Sequence, residues 1–139
     1  MIARRALVDA GPLVAYFRRR DSSHELCVAA SREIEIPFLT SWPVLTETAW
    51  LLRNDPVATR GVFQGIEDGL IRILNLDEDF IKWGRAFLER YENIGAQLAD
   101  ASLVYLAERE KIDNVFTLDR RDFSIYRTTR NRALTILPE

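Results

Sequence analysis

The sequence predicts an α/β fold built around a mostly parallel sheet. Short apolar segments of the strand type alternate along the chain with longer segments whose apolar residues recur at helical spacing. Turn-forming runs such as Asn54-Asp55-Pro56 and Asn93-Ile94-Gly95 separate them. Strands that alternate with helices favour parallel pairing, because each helix returns the chain to the same end of the sheet.

The first half of the chain opens on a short buried strand that ends at Asp9. Pro12 suits the first turn of the following helix, because its missing N–H would have no helical partner there. Ser22 and Glu25 form a capping box, which predicts the start of a second helix. The predicted elements of this half are the strand 6–8, helices 11–20 and 22–33, the strand 36–41, and helices 43–53 and 57–69.

The second half alternates in the same way. Asp77 is predicted to cap a helix, since a carboxylate accepts hydrogen bonds from the free N–H groups of a first turn. The segment 98–110 has strong helical patterning, and an apolar strand ends just before Asp119. The predicted elements are the strand 71–76, helices 77–91 and 98–110, and strands 114–118 and 133–137.

Length and composition predict one globular domain over residues 1–139. The chain is 47% hydrophobic and 29% charged, as ordinary folded domains are. No segment has the ~20 apolar residues that cross a bilayer, and the apolar run after Arg4 and Arg5 is too short for a signal peptide. Cys27 is the one cysteine, so no internal disulfide forms. We therefore expect a cytoplasmic protein without a membrane partner.

The charge does not favour a simple basic nucleic-acid-binding protein, because the formal net charge is −2. Arginine nevertheless dominates: of the 19 basic residues, only Lys82 and Lys111 are lysines. The planar guanidinium group suits phosphate recognition better than an ammonium group does. Two divalent cations would change the sign of the net charge, so a mildly acidic protein can still act on a polyanion.

Two acidic residues stand where strands are predicted to end. Asp9 closes the first strand, and Asp119 follows the strand 114–118. In a parallel α/β sheet, ligands bind in the crevice outside the carboxyl ends of the strands. Each acid could instead cap the helix that follows it, and the sequence leaves both interpretations open.

Two further acids lie on apolar faces of predicted helices. The residues three, four and seven positions after Asp100 are Leu103, Val104 and Ala107, so this face points to the core. Apolar residues flank Glu47 at similar spacing. An unpaired carboxylate is costly in such a place, and several together indicate a shared ligand.

A divalent cation is the ligand that such a group of acids indicates. Converging carboxylates repel one another unless a cation neutralises them, and oxygen ligands suit Mg²⁺ or Mn²⁺. One cysteine and one histidine argue against a zinc site. A carboxylate site of this kind supports phosphodiester hydrolysis, and no convincing Ser-His-Asp or Cys-His arrangement is present.

Each of the four acids lies in a short motif, and the motifs span nearly the whole chain. Asp9 lies in Leu-Val-Asp-Ala-Gly-Pro-Leu, Glu47 in Leu-Thr-Glu and Asp100 in Leu-Ala-Asp-Ala-Ser-Leu. Asp119 lies in Thr-Leu-Asp-Arg-Arg-Asp-Phe. In this order they resemble the four motifs of the PIN-domain ribonuclease family, and especially of its VapC-type toxins.

The resemblance implies a three-layer α/β/α sandwich and an endoribonuclease that depends on one or two Mg²⁺ or Mn²⁺ ions. It implies catalytic roles for Asp9, Glu47, Asp100 and Asp119, with Asp9, Asp100 and Asp119 binding metal. It also implies a homodimer and, for a toxin, a VapB-like protein antitoxin. Trp50, Phe63 and Phe80 are candidate apolar residues for the dimer surface.

Thr117 and Asp122 are expected beside the acids. Many family members have Thr or Ser after the first acid, where this chain has Ala10, and Thr117 is expected to supply a hydroxyl from the other side. Asp122 either joins Asp119 at the ion or only orients it, and the outer role is favoured.

Two arginine groups are candidates for RNA phosphate contact, because each follows an acid assigned to the site: Arg18, Arg19 and Arg20, and then Arg120 and Arg121. A solvated charge run is the alternative for both groups.

Two other functions are compatible with the same class of fold. One is a catalytically silent module that binds RNA or a protein, and four intact acids argue against it. The other is a phosphatase that uses Asp9 as a nucleophile. Such a phosphatase would want a second acid two residues later, where this chain has Gly11.

Overall fold

The computed structural model describes residues 3–139 and confirms the α/β class. Within these residues, five strands form one parallel sheet in the order β3-β2-β1-β4-β5. The strands are β1 (Ala6–Val8), β2 (Phe38–Thr40), β3 (Ile71–Ile73), β4 (Asn114–Phe116) and β5 (Thr135–Leu137).

Seven α-helices and one short 3-10 helix, Glu92–Ile94, connect the strands of this part of the chain. None of these helices has the length and apolar character needed to cross a membrane. The α-helices are α1 (Ala10–Phe17), α2 (His24–Ser31), α3 (Trp42–Leu51), α4 (Pro56–Glu67), α5 (Asp79–Arg90), α6 (Leu98–Glu110) and α7 (Arg120–Ile125).

The helices cover both faces of the sheet, as the predicted three-layer sandwich requires. The chain moves from β1 to β3 in one direction and then crosses back to β4 and β5. Right-handed crossovers that run in opposite directions place their helices on opposite faces. Accordingly α1 packs against α2 and α4, whereas α5 packs against α6.

The core lies along the central strand and the helix α6. Leu7 of β1 pairs with Leu39 on one side and Val115 on the other, and its side chain is fully buried. In α6, every residue from 101 to 107 is buried. A helix buried on nearly all sides is a rigid support for the acid in its first turn, Asp100.

The long helices agree well with the sequence prediction, and the strands are shorter. Helix α6 spans the predicted residues 98–110. Strands β2 and β3 pair over three residues each, because the pairing ends where the chain bends into α3 and into the segment before α5. Helix α7 lies in a segment for which no helix was predicted, and six residues are too few to show a helical period.

Two predicted helix caps are wrong. Helix α2 begins after Ser23, whose side chain makes no capping bond, and the N–H of Ser23 donates to Asp21 instead. Asp77 lies one residue before Glu78, which occupies the cap position of α5, and its carboxylate accepts from the Tyr105 hydroxyl and from Arg109. In both cases the helix begins one residue later than the predicted cap requires.

One candidate for the dimer surface is also corrected. Phe80 is only 6% exposed, and its ring packs on Tyr105 with 5.2 Å between centroids. Trp50 and Phe63 are 63% and 48% exposed. Phe80 therefore belongs to the core, whereas the other two contribute apolar surface.

Candidate active site

The sheet places two of the predicted acids beside each other at its carboxyl edge. Strands β1 and β4 are neighbours, with Val8 opposite Phe116. Asp9 follows β1 directly, and Asp119 follows β4 after two residues. The strand order also changes direction between β1 and β4. A crevice opens at such a switch point, because the chain leaves the two strands on opposite sides.

Asp9 is held from three directions. Its N–H donates to the carbonyl of Phe116 at 2.9 Å, which continues the β1–β4 pairing. Its Oδ1 accepts from the N–H of Ala10 at 2.8 Å and caps α1. Its Oδ2 accepts from the Thr117 hydroxyl at 2.8 Å. The two interpretations left open by the sequence are therefore compatible, since Asp9 caps a helix and also faces the crevice.

Thr117 links the two strand ends. Its buried hydroxyl donates to Asp9 and accepts from the N–H of Asp119 at 3.0 Å. Asp119 in turn caps α7, where its Oδ1 accepts from the N–H of Asp122 at 3.1 Å. One hydroxyl thus couples the first acid to the backbone of the fourth.

Helices α3 and α6 bring the other two acids to the same crevice. Ser41 caps α3 by accepting from the N–H of Val44 at 3.3 Å. The Ser41 hydroxyl also lies 2.7 Å from the hydroxyl of Ser102 in α6, and both serines are fully buried. This bond joins the N-terminal parts of α3 and α6, and these two helices carry Glu47 and Asp100.

All four predicted acids line one open cleft of about 370 Å³. None of the ion pairs found among residues 3–139 includes an acid of this cleft. The lining consists of carboxylates, small or apolar residues and one amide, namely Asp9, Gly11, Glu47, Leu51, Gly95, Gln97, Asp100, Leu118, Asp119 and Asp122.

The tightest group of carboxylates is not the one favoured from the sequence. One oxygen each of Asp100, Asp119 and Asp122 lie within 4.8 Å of one another. The sequence assigned Asp122 an outer role and grouped Asp9 with Asp100 and Asp119. In the structure the first turn of α7 turns Asp122 toward the cleft, whereas both Asp9 oxygens accept hydrogen bonds.

The pKa values of four acids of the cleft are raised above their usual values. Burial raises the pKa of Asp9 from 3.8 to about 6, although hydrogen bonds to its oxygens oppose the rise. Burial likewise raises the pKa of Asp100 to about 6. The pKa of Glu47 is raised by burial and by Asp100, and that of Asp122 by burial and by Asp119. Desolvation and mutual repulsion therefore both disfavour the charged state.

This donor set suits a hard divalent cation. Oxygen ligands about 2.1 Å from one octahedral Mg²⁺ ion lie about 3.0 Å apart when adjacent and about 4.2 Å apart when opposite, so side-chain rotations that draw together three oxygens within 4.8 Å let them share it. The remaining acids of the cleft, Asp9 and Glu47, add negative charge nearby. The residues present thus fit an Mg²⁺ or Mn²⁺ ion.

Sequence reasoning missed Tyr126. Its hydroxyl donates to Oδ2 of Asp100 at 2.6 Å, and only 1% of the residue is exposed. The contact joins residues 26 positions apart in a region without a predicted element, so no periodicity could indicate it. A tyrosine in an otherwise arginine-rich segment was the one available signal.

The first arginine group does not line the acidic cleft. Arg18, Arg19 and Arg20 line a second cleft beside the start of α4. Arg18 donates to Asp55 at 3.4 Å and to the carbonyl of Leu51 at 3.1 Å. Since Leu51 also lines the acidic cleft, the two clefts are neighbours across this residue.

The two arginines of the second group, Arg120 and Arg121, have different surroundings. Arg120 donates to the carbonyl of Pro138 and so turns toward the chain beyond β5. The charge of Arg121 lowers the pKa of Asp122, although burial and Asp119 raise it more. Arg121 is therefore the member of this group with an electrostatic connection to the acids.

The sheet order and the acid-lined switch point define a PIN-like α/β protein, and comparison with known proteins agrees. No protein-family model matches the chain. Ribonuclease VapC26 of Mycobacterium tuberculosis (strain ATCC 25618 / H37Rv) is 26% identical over 137 residues, which are 95% of this chain and 99% of that protein.

The fold has a counterpart among solved structures. The crystal structure of Mycobacterium tuberculosis VapC20, a toxin that cleaves the sarcin-ricin loop, matches with a TM-score of 0.75 at 19% identity. The match covers 84% of this chain and 91% of the VapC20 chain. The resemblance to PIN-domain, VapC-type proteins that the four motifs predicted is therefore confirmed.

Proposed function

We propose that this protein is an Mg²⁺- or Mn²⁺-dependent endoribonuclease that hydrolyses RNA at the acidic cleft. The observation that carries the proposal is the convergence of Asp100, Asp119 and Asp122, whose oxygens lie within 4.8 Å of one another. Similarity to a ribonuclease over 95% of the chain supports RNA as the substrate. The proposal treats residues 1–139 as one nuclease domain, of which residues 1 and 2 lie outside the described part.

The roles of the residues follow from their surroundings. Asp100, Asp119 and Asp122 are proposed to hold the ion, and Asp9 to complete its negative environment from the end of the neighbouring strand, β1. A divalent ion supplies the charge that activates water and stabilises the leaving oxygen in phosphodiester hydrolysis. Thr117 holds the Asp9 carboxylate and the backbone of Asp119 at a fixed separation through its two hydrogen bonds.

Glu47 is proposed to accept a proton in the reaction. It lies on α3 at the edge of the cleft and is only half-buried, so water reaches it. Burial and the charge of Asp100 raise its pKa above the usual value for glutamate. A base whose pKa approaches the working pH transfers protons efficiently.

The decisive experiment compares RNA cleavage with Mn²⁺ and with EDTA. Cleavage by the wild type is expected with Mn²⁺ only, and Asp119→Asn is expected to reduce it by at least about 100-fold, since the ion loses a charged ligand. Asp79→Asn, which makes the same charge change on the exposed surface of α5, is the matched control. Cleavage that persists in EDTA, or equal activity of the two variants, would contradict the proposal.

The partners belong to the same proposal. A VapC-like ribonuclease would damage its host, so we propose a toxin whose VapB-like antitoxin covers the acidic cleft in a cytoplasmic complex. The arginines that adjoin the cleft, Arg121 directly and Arg18–Arg20 across Leu51, are proposed to contact the RNA backbone. We also propose a homodimer, for which Trp50 and Phe63 offer exposed apolar surface.

A further inference from the structure

Tyr126 contacts the acid that α6 brings to the cleft. It stands directly after α7, and its hydroxyl donates to Oδ2 of Asp100 at 2.6 Å. Asp119 and Asp122 belong to the same short segment, as the cap and a first-turn residue of α7. The segment 119–126 therefore supplies two carboxylates of the tightest group and the hydrogen-bond donor that holds the third.

The ring of Tyr126 has little freedom to move. Its centroid lies 5.0 Å from those of Phe87 and Tyr91 and 5.2 Å from that of Phe123. The N–H of Arg127 donates to the Tyr91 hydroxyl at 2.9 Å, which anchors the next residue of the chain. Close-packed rings at these distances restrict side-chain rotation, so the direction of the Tyr126 hydroxyl is fixed by the core.

The hydrogen bond limits the Asp100 carboxylate in turn. Rotation about its side-chain torsions would break a charge-assisted O–H···O bond, which is among the stronger hydrogen bonds in proteins. Asp100 sits in the first turn of α6, where its carboxylate also interacts with the backbone N–H of Gln97 and otherwise faces the cleft. The donor that reaches it across the core is therefore a main determinant of where its oxygens lie.

We propose that Tyr126 is a positioning residue for the cation site, holding Asp100 in the rotamer that presents an oxygen to Asp119 and Asp122. The inference rests on the function proposed above and extends it to a residue outside the four motifs. Hydrogen-bond partners of metal ligands typically contribute 10- to 100-fold to metal affinity or activity. Tyr126 is expected to act within that range.

The test is Mn²⁺ binding, followed by electron paramagnetic resonance of the free ion, on the wild type, Tyr126→Phe and Tyr105→Phe. Tyr126→Phe keeps the ring and removes the donor, so Mn²⁺ affinity is expected to fall about 10-fold or more. Tyr105→Phe removes a hydroxyl of the same aromatic cluster whose partner, Asp77, lies outside the cleft, and its affinity is expected to stay within about twofold of wild type.

Cleavage assays on the same proteins separate positioning from general damage. For Tyr126→Phe, the Mn²⁺ concentration that gives half-maximal cleavage should rise by the same factor as the dissociation constant, while saturating Mn²⁺ restores much of the rate. Equal affinities of Tyr126→Phe and wild type would overturn the inference and leave the proposed function intact. Equal losses in both tyrosine variants would also overturn it, because they would indicate loosening of the cluster.

Two further outcomes are a wild type that binds no Mn²⁺ and a Tyr126→Phe variant that does not fold. If the wild type itself binds no Mn²⁺, the proposed function fails and the inference fails with it. If Tyr126→Phe is unfolded by circular dichroism, ultraviolet resonance Raman spectra of Asp100→Ala and Asp119→Ala test the same bond. The signal of strongly donating tyrosines should weaken in Asp100→Ala and stay unchanged in Asp119→Ala, with the remainder coming from Tyr105, which donates to Asp77. An unchanged signal in Asp100→Ala would overturn the inference.

Discussion

Replacing Asp9 by asparagine should stabilise the metal-free protein. Asp9 is buried, and its pKa is raised from 3.8 to about 6, chiefly by burial. An acid whose pKa is higher in the folded state binds protons more tightly there, so stability falls as pH rises from the unfolded pKa through the folded one. At neutral pH the folded protein carries the full cost of the Asp9 charge.

The magnitude follows from the shift. About two pKa units correspond to about 3 kcal/mol of folding free energy at pH 7.5. Asparagine removes the charge but fits the hydroxyl of Thr117 less well, which costs about 1 kcal/mol. The net gain is about 2 kcal/mol, or roughly 6 °C in Tm for a chain of this size. At pH 4 the charge costs only about 0.6 kcal/mol, so the gain should disappear.

Thermal unfolding in EDTA at pH 7.5 and pH 4 measures both values. Asp79→Asn is again the control and should change stability by less than about 1 kcal/mol, since Asp79 is exposed. Adding Mn²⁺ should raise the Tm of the wild type more than that of Asp9→Asn, because the variant keeps the three proposed ligands but lacks one nearby negative charge. An Asp9→Asn variant less stable than wild type at pH 7.5 would refute the electrostatic argument.

Three further results are expected. Thr117→Val should lower stability by about 1–3 kcal/mol in urea unfolding and should reduce cleavage, because Asp9 loses a hydrogen-bond donor and the N–H of Asp119 loses its acceptor. The control Thr46→Val, at an exposed position, should change stability by no more than about 0.5 kcal/mol and leave cleavage unchanged. Light scattering at high micromolar concentration should give the mass of a dimer, and Trp50→Glu should shift it toward a monomer; a wild-type monomer would exclude the dimer. The product of the adjacent upstream gene should bind the protein, and calorimetry should show weaker binding to Asp9→Asn if an antitoxin arginine pairs with the cleft; equal affinities would exclude that pairing.

Sequence reasoning succeeded where local pattern decides structure. The apolar residues of α6 recur at helical spacing for thirteen residues, so its bounds were predicted correctly. The apolar run before Asp9 predicted β1, and alternation of helices and strands predicted parallel pairing. These features together place four acids at one end of the fold, which is why the four predicted acids all line one cleft.

The features that were missed depend on contacts between distant residues. Helix α7 is held by its cap, Asp119, and its packing on β5 rather than by a hydrophobic repeat. Its first turn decides the direction of Asp122, so the grouping of Asp122 with Asp100 could not be derived from spacing. The burial of Phe80 depends likewise on packing between α5 and α6.

The kind of donor that holds each carboxylate fits the cation site proposed for this cleft. Asp9 is oriented by the hydroxyl of Thr117 and Asp100 by that of Tyr126, and both donors are neutral. An arginine in either place would fix the carboxylate equally well, but it would also neutralise the charge and compete with the ion. Neutral donors fix geometry and leave the negative charge uncompensated, at a cost that the raised pKa values of Asp9 and Asp100 express. The same arrangement that lowers the stability of the metal-free protein therefore favours the binding of a divalent cation, which is why stability and Mn²⁺ affinity should change in opposite directions in Asp9→Asn.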